Sequence, residues 1–178
     1  MTLSKFAFPT TIHFGPGARR LVAEHLQAHG RKRPLIVTDR GIAPLPLLEE
    51  FVASLSGLAV DVYSDIWGNP VRSQVVDGVA AYQAHRADAI VGLGGGAALD
   101  VAKAIALMAT HPGDILEYAW DHPNVRLIER ELPYFVALPT TAGTGSEVGR
   151  SSVISEDATH VKRIIFSPRR ARSAMRLR

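Results

Sequence analysis

Short apolar runs alternate along the chain with segments in which apolar residues recur every three or four positions. The runs predict buried strands, and the helical spacing predicts amphipathic helices between them. The predicted strands cover about 10–15, 35–38, 58–63, 87–92 and 134–138, followed by a strand pair at 151–154 and 161–166. The predicted helices cover about 21–29, 45–55 and 71–85, and a fourth follows the glycines at 94–96 and ends near residue 108. Residues 114–130 are predicted to be irregular apart from one helical turn.

This alternation predicts an α/β fold, a Rossmann-like parallel sheet with helices on both faces. Ligands of such sheets bind beyond the carboxyl ends of the strands. Four of the predicted strands are followed by polar or glycine-containing loops, which contain Asp39, Asn69, Gly94–Gly96 and Thr140–Ser146. Because the carboxyl ends of parallel strands share one edge of a sheet, we expect these loops to form one site.

Three consecutive glycines, Gly94, Gly95 and Gly96, lie between a predicted strand and a predicted helix. Backbone N–H groups without neighbouring side chains, at the positive end of a helix, favour a bound phosphate. Asp100 is expected in the first turn of this helix, where the dipole favours a carboxylate, and Lys103 is placed to pair with it. The alternative is a tight strand-to-helix turn without a ligand.

Asp39 follows a predicted strand, where its carboxylate can accept both hydroxyls of an adenosine ribose. The same charge repels a 2′-phosphate, which favours NAD over NADP. Arg40 can stabilise that phosphate instead, so NADP remains the second choice. Asp39 is also suited to an Asx turn with Gly41, and this turn is compatible with either cofactor.

The loop after residue 138 is rich in hydroxyl groups, from Thr140, Thr141, Thr144 and Ser146. Hydroxyls both donate and accept hydrogen bonds, as sugars and phosphates require. A threonine-rich turn alone is more often structural, but its position beside the glycines favours ligand binding. His25 and His29 have the helical spacing of two metal ligands. No third ligand is near them in sequence, and a structural role at the helix end is favoured.

The composition is typical of a globular protein, with 47% hydrophobic residues, 21% charged residues and no cysteine. The net charge of +3 comes from the segment 169–178, which holds five arginines, since residues 1–168 have 15 basic and 17 acidic residues. We expect residues 1–168 to be a dinucleotide-binding domain and 169–178 to be a basic, frayed or aberrant tail. A nucleic-acid partner is not favoured, because no aromatic or glycine pattern accompanies these arginines. The apolar runs are too short for a membrane span and no signal peptide is evident, so a cytoplasmic location is expected.

Two motifs together carry a resemblance to a known family. They are Gly94-Gly95-Gly96-x-x-x-Asp100-x-Ala102-Lys103 and the segment 139–147, Pro-Thr-Thr-Ala-Gly-Thr-Gly-Ser-Glu. Over about 12–168 the chain resembles the nucleotide-binding domain of the iron-containing (group III) alcohol dehydrogenases. The resemblance implies that Gly94, Gly95 and Gly96 hold the pyrophosphate and that Asp39 holds the adenosine ribose. It places Thr140, Thr141 and Thr144 on the adenosine side, and Asn69, Asp100, Ser146, Val153 and Lys162 near the nicotinamide.

The chain departs from this family in three respects. Ala97 replaces a usual serine, Gly149 stands where a threonine is common, and the helical domain whose aspartate and three histidines hold iron or zinc is absent from this sequence. We therefore expect the chain to bind NAD without oxidising a small alcohol or reducing an aldehyde. We also expect apolar surface where that domain docks in the family, and hence aggregation or a homodimer. The alternatives are a relative of the glycerol dehydrogenases and a non-catalytic nucleotide-binding fragment.

Overall fold

A four-stranded parallel sheet organises the protein, whose computed structural model describes residues 11–166. Its strands are β1 (Pro34–Val37), β2 (Asp61–Tyr63), β3 (Ala89–Gly94) and β4 (Tyr134–Pro139). They lie in the order β2-β1-β3-β4, with every neighbouring pair parallel. All residues of β1 and β3 are buried, as the continuous apolar runs in their sequence predict. The predicted Rossmann-like fold class is therefore confirmed.

Helices cover both faces of the sheet. They are α1 (Leu21–Ala28), α2 (Pro46–Ser54), α3 (Arg72–His85) and α4 (Gly96–Met108), with short 3-10 turns at Ala18–Arg20 and Ile115–Tyr118. Leu26 of α1 and Phe51 of α2 pack against the face that includes Ile36. Val75 of α3 and Ile105 of α4 pack against the opposite face. Successive strand residues point to opposite faces, so each strand contributes to both cores.

Helix α4 is the most deeply buried helix of the described residues. Its sequence is dominated by alanine, leucine, isoleucine and valine, and eight of its thirteen residues are buried. Small residues on α3 allow the two helices to approach closely, since a Cβ added at Gly78 would lie only 2.2 Å from Cδ1 of Ile105. The amino end of this tightly held helix lies at the carboxyl edge of the sheet.

A separate two-stranded antiparallel sheet packs beside α4. It consists of β5 (Ser151–Ser155) and β6 (Lys162–Phe166), as the predicted strand pair requires. The Ser155 amide donates to the Pro70 carbonyl at 2.8 Å, and Ala119 forms a bridge with Ile165. These contacts fix the hairpin against the loop that follows β2 and against the second 3-10 turn.

Three differences from the sequence-based expectations concern local structure. Residues 11–14 form no strand, and Ile12 and Phe14 are 42% and 68% exposed, so this part of the apolar run is not buried as a core strand would be. Strand β2 begins at Asp61 instead of residue 58. Asp100 is the fifth residue of α4, outside its first turn. The predicted tail at 169–178 lies outside the described residues, and none of the helices within 11–166 is long and apolar enough to cross a membrane.

Candidate dinucleotide-binding site

Asp39 lies at the carboxyl edge of the sheet with one carboxylate oxygen fixed by its own loop. Oδ1 accepts hydrogen bonds from the amides of Gly41 at 2.9 Å and Ile42 at 3.0 Å, which is the predicted Asx turn. The other oxygen, Oδ2, faces Gly94, where an added Cβ would lie 3.0 Å from it. The turn therefore orients the carboxylate toward the glycines and leaves Oδ2 for a ligand hydroxyl.

The three glycines have different reasons for being glycine. Gly94 ends β3 with a φ of +152°, and a Cβ there would lie 2.7 Å from Cβ of Ala98, so the chain itself requires glycine. Gly95 precedes α4 in an ordinary extended conformation, and a Cβ there would meet only Thr141, with Oγ1 at 3.5 Å. A Cβ at Gly96 would lie 2.9 Å from Oγ1 of Thr144.

The space in front of Gly95 is open, since a Cβ there would meet only Thr141 within 4 Å. The first N–H groups of an α-helix have no partner within the helix and carry partial positive charge. The Thr140 amide donates to the Gly94 carbonyl at 3.0 Å, which holds the threonine loop beside the glycines. The hydroxyls of Thr141 and Thr144 then border the same space. The donor set and the open position at Gly95 thus suit a pyrophosphate.

Asp100 joins α4 to two other parts of the site. Its Oδ1 accepts from Oγ of Ser146 at 2.6 Å and its Oδ2 from the Val153 amide at 3.1 Å. Nζ of Lys103 lies 3.1 Å from Oδ1, which confirms the predicted ion pair. The carboxylate is therefore positioned by these three donors, and not by the helix dipole that the sequence suggested.

Lys103 completes this junction from inside the fold. Its side chain is 15% exposed, and Nζ also donates to the Ser146 carbonyl at 3.0 Å and to the Ser151 carbonyl. Burial lowers the pKa of Lys103, while the Asp100 carboxylate opposes this shift. The local sequence pattern does not predict the bonds to the two carbonyls, because nothing in it indicates which loops meet α4.

Asn69 and Lys162 lie on the hairpin side of the site and are exposed. Asn69 precedes Pro70, whose carbonyl binds the Ser155 amide, and Ser155 is paired with Lys162. Val153 is half-buried on the same hairpin. The structure thus brings predicted residues together in two groups, one around the glycine turn and one around Asp100, and it connects Asn69 and Lys162 to the second group only through the loop and the hairpin.

An apolar cavity of about 530 Å³ adjoins the glycine-turn group at Thr140. Its walls include Leu47 and Phe51 of α2 together with Leu93 and Leu138 near the ends of β3 and β4, and Arg19 and Arg20 of the first 3-10 turn also line it. It opens on the same edge of the sheet as the polar loops, and it gives that edge an apolar pocket beside its hydrogen-bonding groups.

The histidine pair has structural partners near the amino end of β4. His29 Nδ1 donates to the His25 carbonyl at 2.8 Å, and His25 Nε2 is hydrogen-bonded to the Tyr134 hydroxyl. Burial, and then the nearby His29 and His13, lower the pKa of His25. Residues 11–166 contain no group of three histidine, cysteine, aspartate or glutamate side chains arranged to hold a metal ion.

The order of the strands, the helices on both faces and the glycine turn before α4 define a Rossmann-like α/β protein. Residues 9–175 match the family model for iron-containing alcohol dehydrogenase, a range that ends within the segment 169–178. The chain belongs to this family.

Relatives of known activity and structure match over most of this chain. This chain is 36% identical over 149 residues to 4-hydroxybutyrate dehydrogenase of Cupriavidus necator. The aligned region covers 83% of this chain and 39% of that protein. It superposes on the crystal structure of a 1,3-propanediol oxidoreductase with a TM-score of 0.85 and 34% identity, over 98% of this chain and 46% of the other. It also superposes on the crystal structure of sulfoacetaldehyde reductase from Bifidobacterium kashiwanohense in complex with NAD+, with a TM-score of 0.82 and 28% identity. That superposition covers 99% of this chain and 46% of the other. The chain thus spans less than half the length of these relatives.

Proposed function

We propose that this chain binds NAD at the carboxyl edge of its sheet and is the cofactor-binding part of a metal-dependent alcohol dehydrogenase. One observation carries the proposal, the open space at Gly95 between the free Oδ2 of Asp39 and the hydroxyls of the threonine loop. Phosphate binding at a helix amino end and ribose binding by an acid at a strand end are the two recurring features of dinucleotide sites. NADP is the second choice of cofactor, and the expected cytoplasmic location remains a prediction.

The two residue groups suggest how the cofactor is divided between them. We assign the pyrophosphate to Gly94, Gly95 and Gly96, and the adenosine side to Asp39, Thr140, Thr141 and Thr144. We assign the nicotinamide side to the group around Asp100, with Ser146 and Val153 bound to it and Asn69 and Lys162 on the neighbouring loop and hairpin. In this arrangement α4 directs its amino end at the phosphates and its second turn at the nicotinamide ribose.

We propose that iron or zinc serves a full-length enzyme and that its ligands lie outside residues 11–166, which offer no suitable group. When bound, such a metal polarises the oxygen of a small alcohol or aldehyde as a Lewis acid. The described residues orient the cofactor for hydride transfer and shield one side of it from water. A non-catalytic nucleotide-binding module is the rival proposal, and translation of the reading frame beyond Arg178 distinguishes the two by the presence or absence of one aspartate and three histidines.

Calorimetric titration of NAD+ into the Gly95→Val variant tests the proposed site. The backbone at Gly95 is extended and a Cβ meets nothing closer than 3.5 Å, so the variant should keep the far-UV spectrum and melting temperature of the unsubstituted chain. Its affinity for NAD+ should fall by about tenfold or more, the loss of one or two hydrogen bonds to a charged phosphate.

The neighbouring variant Gly94→Ala is the control, because there the strain and the contact with Ala98 should lower stability whether or not a cofactor binds. If folded Gly95→Val binds NAD+ as tightly as the unsubstituted chain, the pyrophosphate does not lie at this turn.

A further inference from the structure

Arg40, the residue directly after Asp39, has its charged group paired with side chains of a neighbouring loop. Its Nε donates to Oδ1 of Asp65 at 2.7 Å, and a second guanidinium nitrogen lies 2.5 Å from the same oxygen. The guanidinium carbon lies 3.9 Å from the centroid of the Trp67 ring, within the range of a cation–π contact. The Asp65 carboxylate and the Trp67 ring therefore both contact the guanidinium in this structure.

The backbone presets this arrangement. The Arg40 amide donates to the Ile66 carbonyl at 2.9 Å, which ties the loop after β1 to the loop after β2. Ile66 is 1% exposed and anchors its loop in the core. Asp65 and Trp67 flank Ile66 in sequence, so both partners of the arginine are presented by an anchored segment.

This engagement bears on the choice between NAD and NADP. In dinucleotide sites an arginine close to the ribose-binding position is the usual partner of the 2′-phosphate of NADP. An acidic residue at that position instead repels the 2′-phosphate. Here the acid is Asp39, and the arginine that follows it is paired with Asp65. A 2′-phosphate would therefore lie near the Asp39 carboxylate and near an arginine that is already paired with Asp65.

We propose that Asp65, assisted by Trp67, is a specificity-determining residue that favours NAD over NADP by pairing with Arg40 and so weakening its attraction for a 2′-phosphate. The inference rests on the proposed function, since it assumes that Asp39 binds the adenosine ribose. Asp65 is then a positioning residue that acts through Arg40, without touching the cofactor itself.

The effect should be moderate, because the side chains of Arg40 and Asp65 are 55% and 53% exposed. Ion pairs at such exposure are weak. Breaking the Arg40–Asp65 pair should therefore change the affinity for NADP+ by at most about fivefold. The charge of Asp39 would mask part of this change. The measurement is therefore sharper in an Asp39→Asn background, where the amide oxygen can still accept from Gly41 and Ile42 while the charge is removed.

The experiment titrates NAD+ and NADP+ separately into the Asp39→Asn chain and into Asp39→Asn/Asp65→Asn. The second substitution should raise the affinity for NADP+ relative to NAD+ by about twofold to fivefold. Adding Arg40→Gln to the double variant should abolish this gain, because the freed guanidinium is its source. Asp61→Asn, which removes an exposed acid on β2 that does not contact Arg40, should leave the ratio of the two affinities unchanged.

Three results would overturn the proposal. The first is an unchanged affinity ratio after Asp65→Asn in a chain that still binds NAD+. The second is a gain that survives Arg40→Gln or is reproduced by Asp61→Asn, since simple removal of negative charge would then explain it. The third is absence of NAD+ binding to the unsubstituted chain, which alone would refute the proposed function as well.

Discussion

Replacing Lys103 by methionine should destabilise the protein through the junction of α4, the threonine loop and β5. Methionine fills nearly the same volume but leaves the Asp100 carboxylate without its counter-charge and two carbonyls without their donor. Removing one partner of a buried ion pair costs about 3–5 kcal/mol when the remaining charge is left bare. Asp100 keeps the Ser146 hydroxyl and the Val153 amide as donors, so we expect a smaller cost of about 2–3 kcal/mol.

The free energy of unfolding is measured by urea denaturation, and the melting temperature should fall by about 5–10 °C for a domain of this size. Asp100→Asn should cost a similar amount, and the double variant should cost clearly less than the sum of the two because each single variant leaves a buried partner unpaired. Arg19→Met is the matched control. Its partner Glu50 is 63% exposed and Arg19 itself 38%, so this exposed pair should contribute less than about 1 kcal/mol. Strictly additive losses, or a loss at Lys103 no larger than at Arg19, would refute the reasoning.

Two further predictions concern pH and turnover. Burial lowers the pKa of His111, whose Nε2 accepts from the Arg130 amide at 3.1 Å and must be unprotonated to do so. The unfolded chain therefore binds more protons below about pH 6.5, so stability should fall as the pH drops below that value, and His111→Gln should flatten this dependence in urea denaturation at several pH values. The purified 178-residue chain should bind NAD+ but show no aldehyde-dependent loss of NADH absorbance after loading with iron or zinc, whereas turnover that a chelator abolishes would contradict this expectation.

The sequence predicts the layers of this fold because buried positions recur along the chain as a regular pattern of apolar residues. The apolar runs at β1, β3 and β4 and the helical spacing at α3 and α4 each reflect one continuous buried surface. The strand expected at 10–15 fails within the described residues for the same reason, since periodicity does not show whether a neighbouring strand is available.

The details of the site depend on contacts between residues that are distant in sequence. Asp100 meets Ser146 and Val153 across 46 and 53 residues, and Arg40 meets Asp65 across 25. No local pattern encodes such pairs. The sequence predicts the positions of the glycine turn and Asp39 because each lies directly at a strand end. In a parallel sheet the carboxyl ends of the strands share one edge, but the sequence does not show which side chains meet there.

The order of the strands also constrains how the chain folds. β1 lies between β2 and β3, so the first strand of the sheet to be synthesised acquires its second neighbour only when Ala89 and the residues after it are available. β4 then pairs with β3 alone. Until β3 is available, one edge of β1 has unpaired backbone N–H and C=O groups that can pair with strands of other chains, and loop closure over this distance slows the native pairing. We therefore expect the speed with which β3 pairs with β1 to influence how much of the nascent chain aggregates.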